Sequence, residues 1–139
     1  MASIVLDTNI VIDYLSSTRP CHQEAVDLLT AVVESDDLDA VIPAASLKDI
    51  YYVLCRQYHS EGVIRQRLDD LRAVVDVEDL TTSILDTAFA SDEPDFEDGI
   101  VRATAETVGA VAIITRDKDA YARSSVPAMP ALAFTHSLG

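Results

Sequence analysis

Four short apolar runs constrain this chain more than any other feature. SIVLD (3–7), LDAVI (38–42), AVVDV (73–77) and AVAIIT (110–115) are separated by stretches whose apolar residues recur every three or four positions. Runs this continuous are strands buried on both faces, and the amphipathic segments between them are the helices that cover those faces. The pattern predicts an α/β fold around a parallel sheet. A weaker strand is expected near 126–129.

Helices are predicted over 9–15, from Pro20 to the acidic patch at 35–37, and over 45–58, 61–71, 81–90 and 96–108, with a short one at 118–122. Ala25, Val26, Leu28, Leu29, Val32 and Val33 recur at helical spacing in the second, and Leu47, Ile50, Tyr51, Leu54 and Tyr58 form one face of the third. There is no internal repeat, long linker or break in composition, so residues 1–139 read as one domain.

Charge bears on partners. The chain has 24 acidic against 10 basic residues, a formal net charge of −14. Such a surface repels nucleic acid as a whole and carries no basic stripe for counterion release. A nucleic-acid role must be local and helped by cations, whereas metal ions and basic protein segments are attracted. Cys21 and Cys55 lack CxxC or Cys/His spacing, which argues against a zinc site and fits a reducing cytoplasm. The first residues have no basic segment followed by a long apolar one, and the longest apolar run, 108–115, falls short of the ~20 residues of a membrane span. A soluble, cytoplasmic protein is expected.

In an open α/β sheet, ligands bind beyond the carboxyl ends of the strands, so acids at strand ends matter most. Asp7 follows the first strand and Asp117 the fourth; Asp49 lies in the first turn of the helix after the second, and Asp95 and Asp98 open the helix leading into the fourth. All five can converge on one sheet edge and offer oxygen to a hard divalent cation. Each also has a plainer reading. Ser46 and Asp49 fit a capping box, Asp95 and Asp98 a similar arrangement, and Asp117 can cap the segment after it. Asp7, ending an apolar strand beside Thr8 and Asn9, is a turn residue on that reading. Taken together, carboxylates gathered at one edge repel each other and call for a cation.

Other chemistries find less support. His22, His59 and His136 are far apart, with no partner at metal-ligand spacing. GxSxG, P-loop and GxGxxG motifs are absent, and four glycines cannot build a phosphate loop. Of the adjacent Tyr51 and Tyr52 only one can face the core, and Tyr51 shares the Leu47/Leu54 face.

The strings IVLDTNIVIDYL, SLKDIYYVL, DFEDGIVRATAE and AIITRDKDAY, in this order and near these spacings, resemble the PIN-domain family of metal-dependent ribonucleases, in particular its bacterial, VapC-like toxin type. The resemblance runs through nearly the whole chain. It implies a three-layer α/β/α sandwich whose central parallel sheet, of about five strands, is ordered 3-2-1-4-5. It further implies an acidic site for one or two Mg²⁺ or Mn²⁺ ions and a homodimer. Asp7, Asp98 and Asp117 match metal-binding acids, with Thr8, Asn9, Asp95 and Thr115 in support. Asp49 stands where the family usually has Glu, one methylene longer, and Gly99 where it commonly has a small residue after the third acid.

The implied activity is RNA phosphodiester hydrolysis, with Asp7, Asp49, Asp98 and Asp117 as the catalytic set and Arg102, Arg116 and Lys118 either steadying the RNA backbone or serving as solvated surface charges. A basic antitoxin segment is the implied partner. Two alternatives stand beside this reading: a PIN-like RNA- or protein-binding module with little or no turnover, and a metal-dependent phosphatase or phosphoacceptor using Asp7. The latter lacks a DxD pair, since Asn9 stands two residues after Asp7.

Overall fold

The computed structural model describes residues 1–117 and 119–139. Its elements run β1 (Ala2–Leu6), α1 (Thr8–Leu15), α2 (His22–Glu34), β2 (Leu38–Pro43), α3 (Ala44–Tyr58), α4 (Glu61–Leu71), β3 (Asp76–Glu78), α5 (Thr82–Ala90), α6 (Phe96–Val108), β4 (Ala112–Ile114), β5 (Ala128–Met129) and α7 (Ala131–Ser137). The strands form one five-stranded sheet, ordered β3-β2-β1-β4-β5, and every pairing is parallel. This is the architecture that the apolar runs and the family resemblance predict.

Successive side chains along a strand point to opposite faces, and the two cores follow that alternation. Ile4 and Leu6 of β1, Ala40 and Ile42 of β2, and Ala112 and Ile114 of β4 pack with α1, α2, α3, α4 and α7. Val5, Val41 and Ile113 face the other way, onto Val101 and Ala105 of α6. Both faces are covered, which is why the runs carry no polar alternation. Val5 at the sheet centre is wholly buried, so its truncation to Ala would cost about 2–3 kcal/mol. Cys55 packs against the larger core, and Cys55 and Cys21 are both free thiols.

Two predicted elements differ, and one observed helix was not predicted. Val74 and Val75 donate backbone hydrogen bonds to Leu71, so the 73–77 run begins as a turn that buries Val75, and β3 starts only at Asp76. Of the helix predicted over 118–122, residue 118 lies outside the described residues, and residues 120–123 are turns. Tyr121 has a φ of 66°, a left-handed conformation that an α-helix does not accommodate. Beyond β5 the chain continues into α7, whose Ala131 and Phe134 are buried at the i, i+3 spacing of one helical face.

Among the described residues, no helix is long and apolar enough to cross a membrane.

Candidate functional site

β1 and β2 end at the same sheet edge, so α1 and α3 start there. α6, which runs back to feed β4, starts there too. The first turns of all three helices therefore ring one cavity of about 250 Å³, lined by Asp7, Asn9, Asp49, Glu97, Asp98 and Asp117 among others. Aligned peptide dipoles place partial positive charge at such helix starts. That field offsets part of the repulsion among the acids and favours an entering anion.

Asp7 is the most enclosed acid of the set, 7% exposed. Its Oδ1 accepts from the Thr8 amide at 2.7 Å, and its Oδ2 accepts from Thr115 Oγ1 at 2.8 Å and from the Tyr121 hydroxyl at 2.9 Å. Asp7 also caps α1, so the capping and site readings both describe it. Thr115 accepts in turn from the Asp117 amide, which ties the loop after β4 to the end of β1.

Asp98 lies in the first turn of α6. Its pKa is pushed up to about 6, first by burial, then by the charges of Asp7 and Asp95, against a smaller lowering by the Tyr121 hydroxyl. Asp95 is the α6 cap, its Oδ1 accepting from the Asp98 amide at 3.1 Å. It is a capping residue one turn outside the cavity. Asp117 lines the cavity while its Oδ1 accepts from the amides of Asp119 and Ala120, leaving its second oxygen for a ligand.

Asp49 also lines the cavity, but no capping box forms. α3 begins at Ala44 with Pro43 at its cap, three residues earlier than a cap at Ser46 requires. Ser46 is consequently buried inside the first turn, and Asp49 projects from the second, exposed.

The predicted cations go elsewhere. Arg102 is absorbed by Asp92, Glu93 and Glu106, and also donates to the Arg123 carbonyl; its pKa is raised, chiefly by Glu106. Arg116 pairs with Asp13, which is 1% exposed. Neither lines the acidic cavity; in this structure both are engaged in these ion pairs. Lys118 lies outside the described residues. Tyr51 packs against the core while Tyr52 is exposed and accepts from Arg56.

Sequence reasoning missed Tyr121, which touches two of the acids, as well as Asp13 and Glu93, which hold the surrounding arginines. A tyrosine four residues after a strand-end acid was the available signal, and it is a faint one.

The donor set suits a hard divalent cation. Five carboxylates line one cavity, and the buried Oδ1 of Asn9 has no hydrogen-bond partner among the described residues. An orphaned buried acceptor there gains by facing a cation. Among the described residues no three His, Cys, Asp or Glu side chains form a ready ligand cluster, so closure on an ion falls to the exposed Asp49 and Asp117, which have room to turn.

The family model for the PIN domain matches residues 3–119. No curated protein matches the chain. Among solved structures, the chain is similar to VapC20 of Mycobacterium tuberculosis, described as a sarcin-ricin loop cleaving toxin, with 20% identity, 84% of this chain and 91% of that one covered, and a TM-score of 0.66. It is similar also to VapBC-1 of nontypeable Haemophilus influenzae (16% identity, 93% and 98% covered, TM-score 0.69) and to a toxin-antitoxin complex of Klebsiella pneumoniae (23%, 92% and 97%, 0.66). At these identities the likeness is one of fold.

Proposed function

The chain belongs to the PIN-domain family, and on that premise we propose that it is a divalent-metal-dependent endoribonuclease, the toxin of a toxin–antitoxin pair acting in the cytoplasm. One observation carries the reading: Asp7, Asp49, Asp98 and Asp117, distant in sequence, line a single cavity at the carboxyl edge of the sheet. Asp7, Asp98 and Asp117 would hold Mg²⁺ or Mn²⁺, with Asp49 beside them. The cation supplies Lewis acidity toward the phosphodiester and the attacking water.

The chain's own groups do the rest. Thr8, Thr115 and Tyr121 fix the Asp7 carboxylate by three hydrogen bonds, so it meets an ion without first being ordered. The starts of α1, α3 and α6 draw in the phosphate, while Arg102 and Arg116 are engaged in ion pairs with acids outside the cavity. An antitoxin with a basic segment complements the same acidic opening. Homodimerisation is supported by an exposed apolar pair, Phe89 and Phe96, whose rings stand 4.6 Å apart.

The test is cleavage of an unstructured RNA by the whole chain with Mg²⁺ or Mn²⁺. Cleavage that ends with EDTA and in Asp7→Asn, Asp98→Asn and Asp117→Asn is expected; cleavage retained in those variants would overturn the assignment. A second reading, a PIN-like module without useful turnover, draws on the short, exposed Asp49 and the lack of a preassembled ligand cluster among the described residues. It predicts metal-induced stabilisation with intact RNA.

A further inference from the structure

Tyr121 is 2% exposed and takes a left-handed φ of 66°, a conformation unusual for a bulky residue and tolerated only where surroundings enforce it. Its ring lies in the smaller core with Val5 and Val101. Its amide donates to Glu93 Oε2 at 3.0 Å, and Glu93 Oε1 is held by Arg102 at 3.3 Å. From this anchorage the hydroxyl reaches Asp7 Oδ2 at 2.9 Å and Asp98 Oδ1 at 3.2 Å.

We infer that Tyr121 is a positioning residue of the metal site: its hydroxyl braces Asp7 and Asp98 side by side in the metal-free protein, and the Arg102–Glu93 pair acts through it by fixing its backbone. The inference rests on the reading of Asp7 and Asp98 as metal acids. Two facing carboxylates repel each other, and the half-buried Asp98 has the freedom to turn away. Asp7, held also by Thr8 and Thr115, does not. The single hydroxyl proton, shared between Asp7 Oδ2 at 2.9 Å and Asp98 Oδ1 at 3.2 Å, keeps Asp98 turned inward.

Lone-pair bookkeeping shows why the brace does not compete with an ion. Asp7 Oδ2, with Thr115 and Tyr121 as donors, is fully used, whereas Oδ1 takes only the Thr8 amide and keeps one lone pair. Asp98 meets the hydroxyl through Oδ1, which leaves Oδ2. The oxygens turned away from Tyr121 remain for the cation. Hydrogen bonds that orient ligands in this way typically govern affinity by about 10–100-fold.

The experiment is Mn²⁺ titration of the whole chain, with free ion read by electron paramagnetic resonance, alongside thermal midpoints in EDTA, for wild type, Tyr121→Phe, Glu93→Ala and Asp98→Asn. Tyr121→Phe is expected to weaken Mn²⁺ binding about tenfold, Glu93→Ala to weaken it less, and Asp98→Asn to abolish it. Should Tyr121→Phe fail to fold, Glu93→Ala carries the test alone, since it keeps the hydroxyl and loosens only its support. A lower midpoint with wild-type Mn²⁺ affinity in both variants, or tighter binding, would make Tyr121 a core residue only and overturn the inference while Asp98→Asn upholds the site. Failure of the wild type to take up Mn²⁺ would overturn both.

Discussion

Arg116 Nε stands 2.7 Å from Asp13 Oδ2, joining the loop after β4 to the middle of α1 across 103 residues of sequence. The carboxylate is almost fully enclosed while the guanidinium remains 40% exposed at its side chain. Among the described residues, the other cation beside Asp13 is Arg19, at 3.8 Å.

That asymmetry makes a prediction about stability. Arg116→Ala strands a buried charge and should cost about 2–4 kcal/mol, near the range for breaking a buried pair with allowance for the exposed guanidinium. Asp13→Asn frees an arginine that can turn to water and should cost less. Urea unfolding of both single variants and the double variant checks this: the double should be no less stable than Arg116→Ala alone. Because Arg116 adjoins Asp117, its loss should also loosen Mn²⁺ binding without abolishing it.

Asp98 sets the pH dependence of the metal-free protein. Its folded pKa of about 6 exceeds the usual ~3.9 of an unfolded Asp, so between these values the folded state holds the proton more tightly. The stabilisation is full below about pH 4 and lost as pH rises through about 6, amounting to on the order of 1–2 kcal/mol after solvent screening. In EDTA, Asp98→Asn should therefore be more stable than wild type at pH 7.5 and lose that advantage at pH 4. Mn²⁺ affinity of the wild type should rise over the same window, because ion and proton compete for one carboxylate. A pH-independent gap between wild type and Asp98→Asn would contradict the assignment.

How far the sequence foretold this arrangement depends on whether a feature is local. β1, β2 and β4 were legible because burial on both faces leaves unbroken apolar runs. α6 was legible because Asp95 caps its start and Gly109, at φ 66°, ends it. The run at 73–77 misled because Val74 and Val75 are apolar for the sake of a buried turn, and α7 was missed because seven residues with two buried positions give too few repeats to show a period. The acids were legible as strand-end and helix-start residues. Tyr121 was not, since its role is set by partners 114 and 23 residues away, and the same holds for Asp13, which claims Arg116 across 103 residues; Arg102 joins a local partner, Glu106 at i+4, to Asp92 and Glu93 farther off.

Gly99 offers a test outside the site chemistry. It is buried within α6, and a Cβ there would meet Ala88 at 3.5–3.9 Å, ordinary contact distance. Gly99→Ala should thus stabilise by about 0.5–1 kcal/mol, through a less flexible unfolded chain and better helix propensity. A chemical-denaturation midpoint raised with unchanged Mn²⁺ affinity is the expected outcome.

The last prediction separates the two functional readings. Asp49 projects from the second turn of α3 into the cavity wall, exposed, one methylene shorter than the Glu usual in the family. Asp49→Glu adds reach on a helix whose backbone already points to the right cavity, and its exposure means the longer side chain meets no packed neighbour to overcome. In a nuclease limited by this ligand, the substitution should tighten Mn²⁺ binding and raise RNA cleavage together, severalfold. Binding of Mn²⁺ stabilises the native state by RT ln(1 + [L]/Kd), so at fixed ion concentration each tenfold gain in affinity adds about 1.4 kcal/mol, visible as a higher thermal midpoint. A higher midpoint without cleavage in either protein would favour the binding module, and an unchanged midpoint would place Asp49 outside the ligand set.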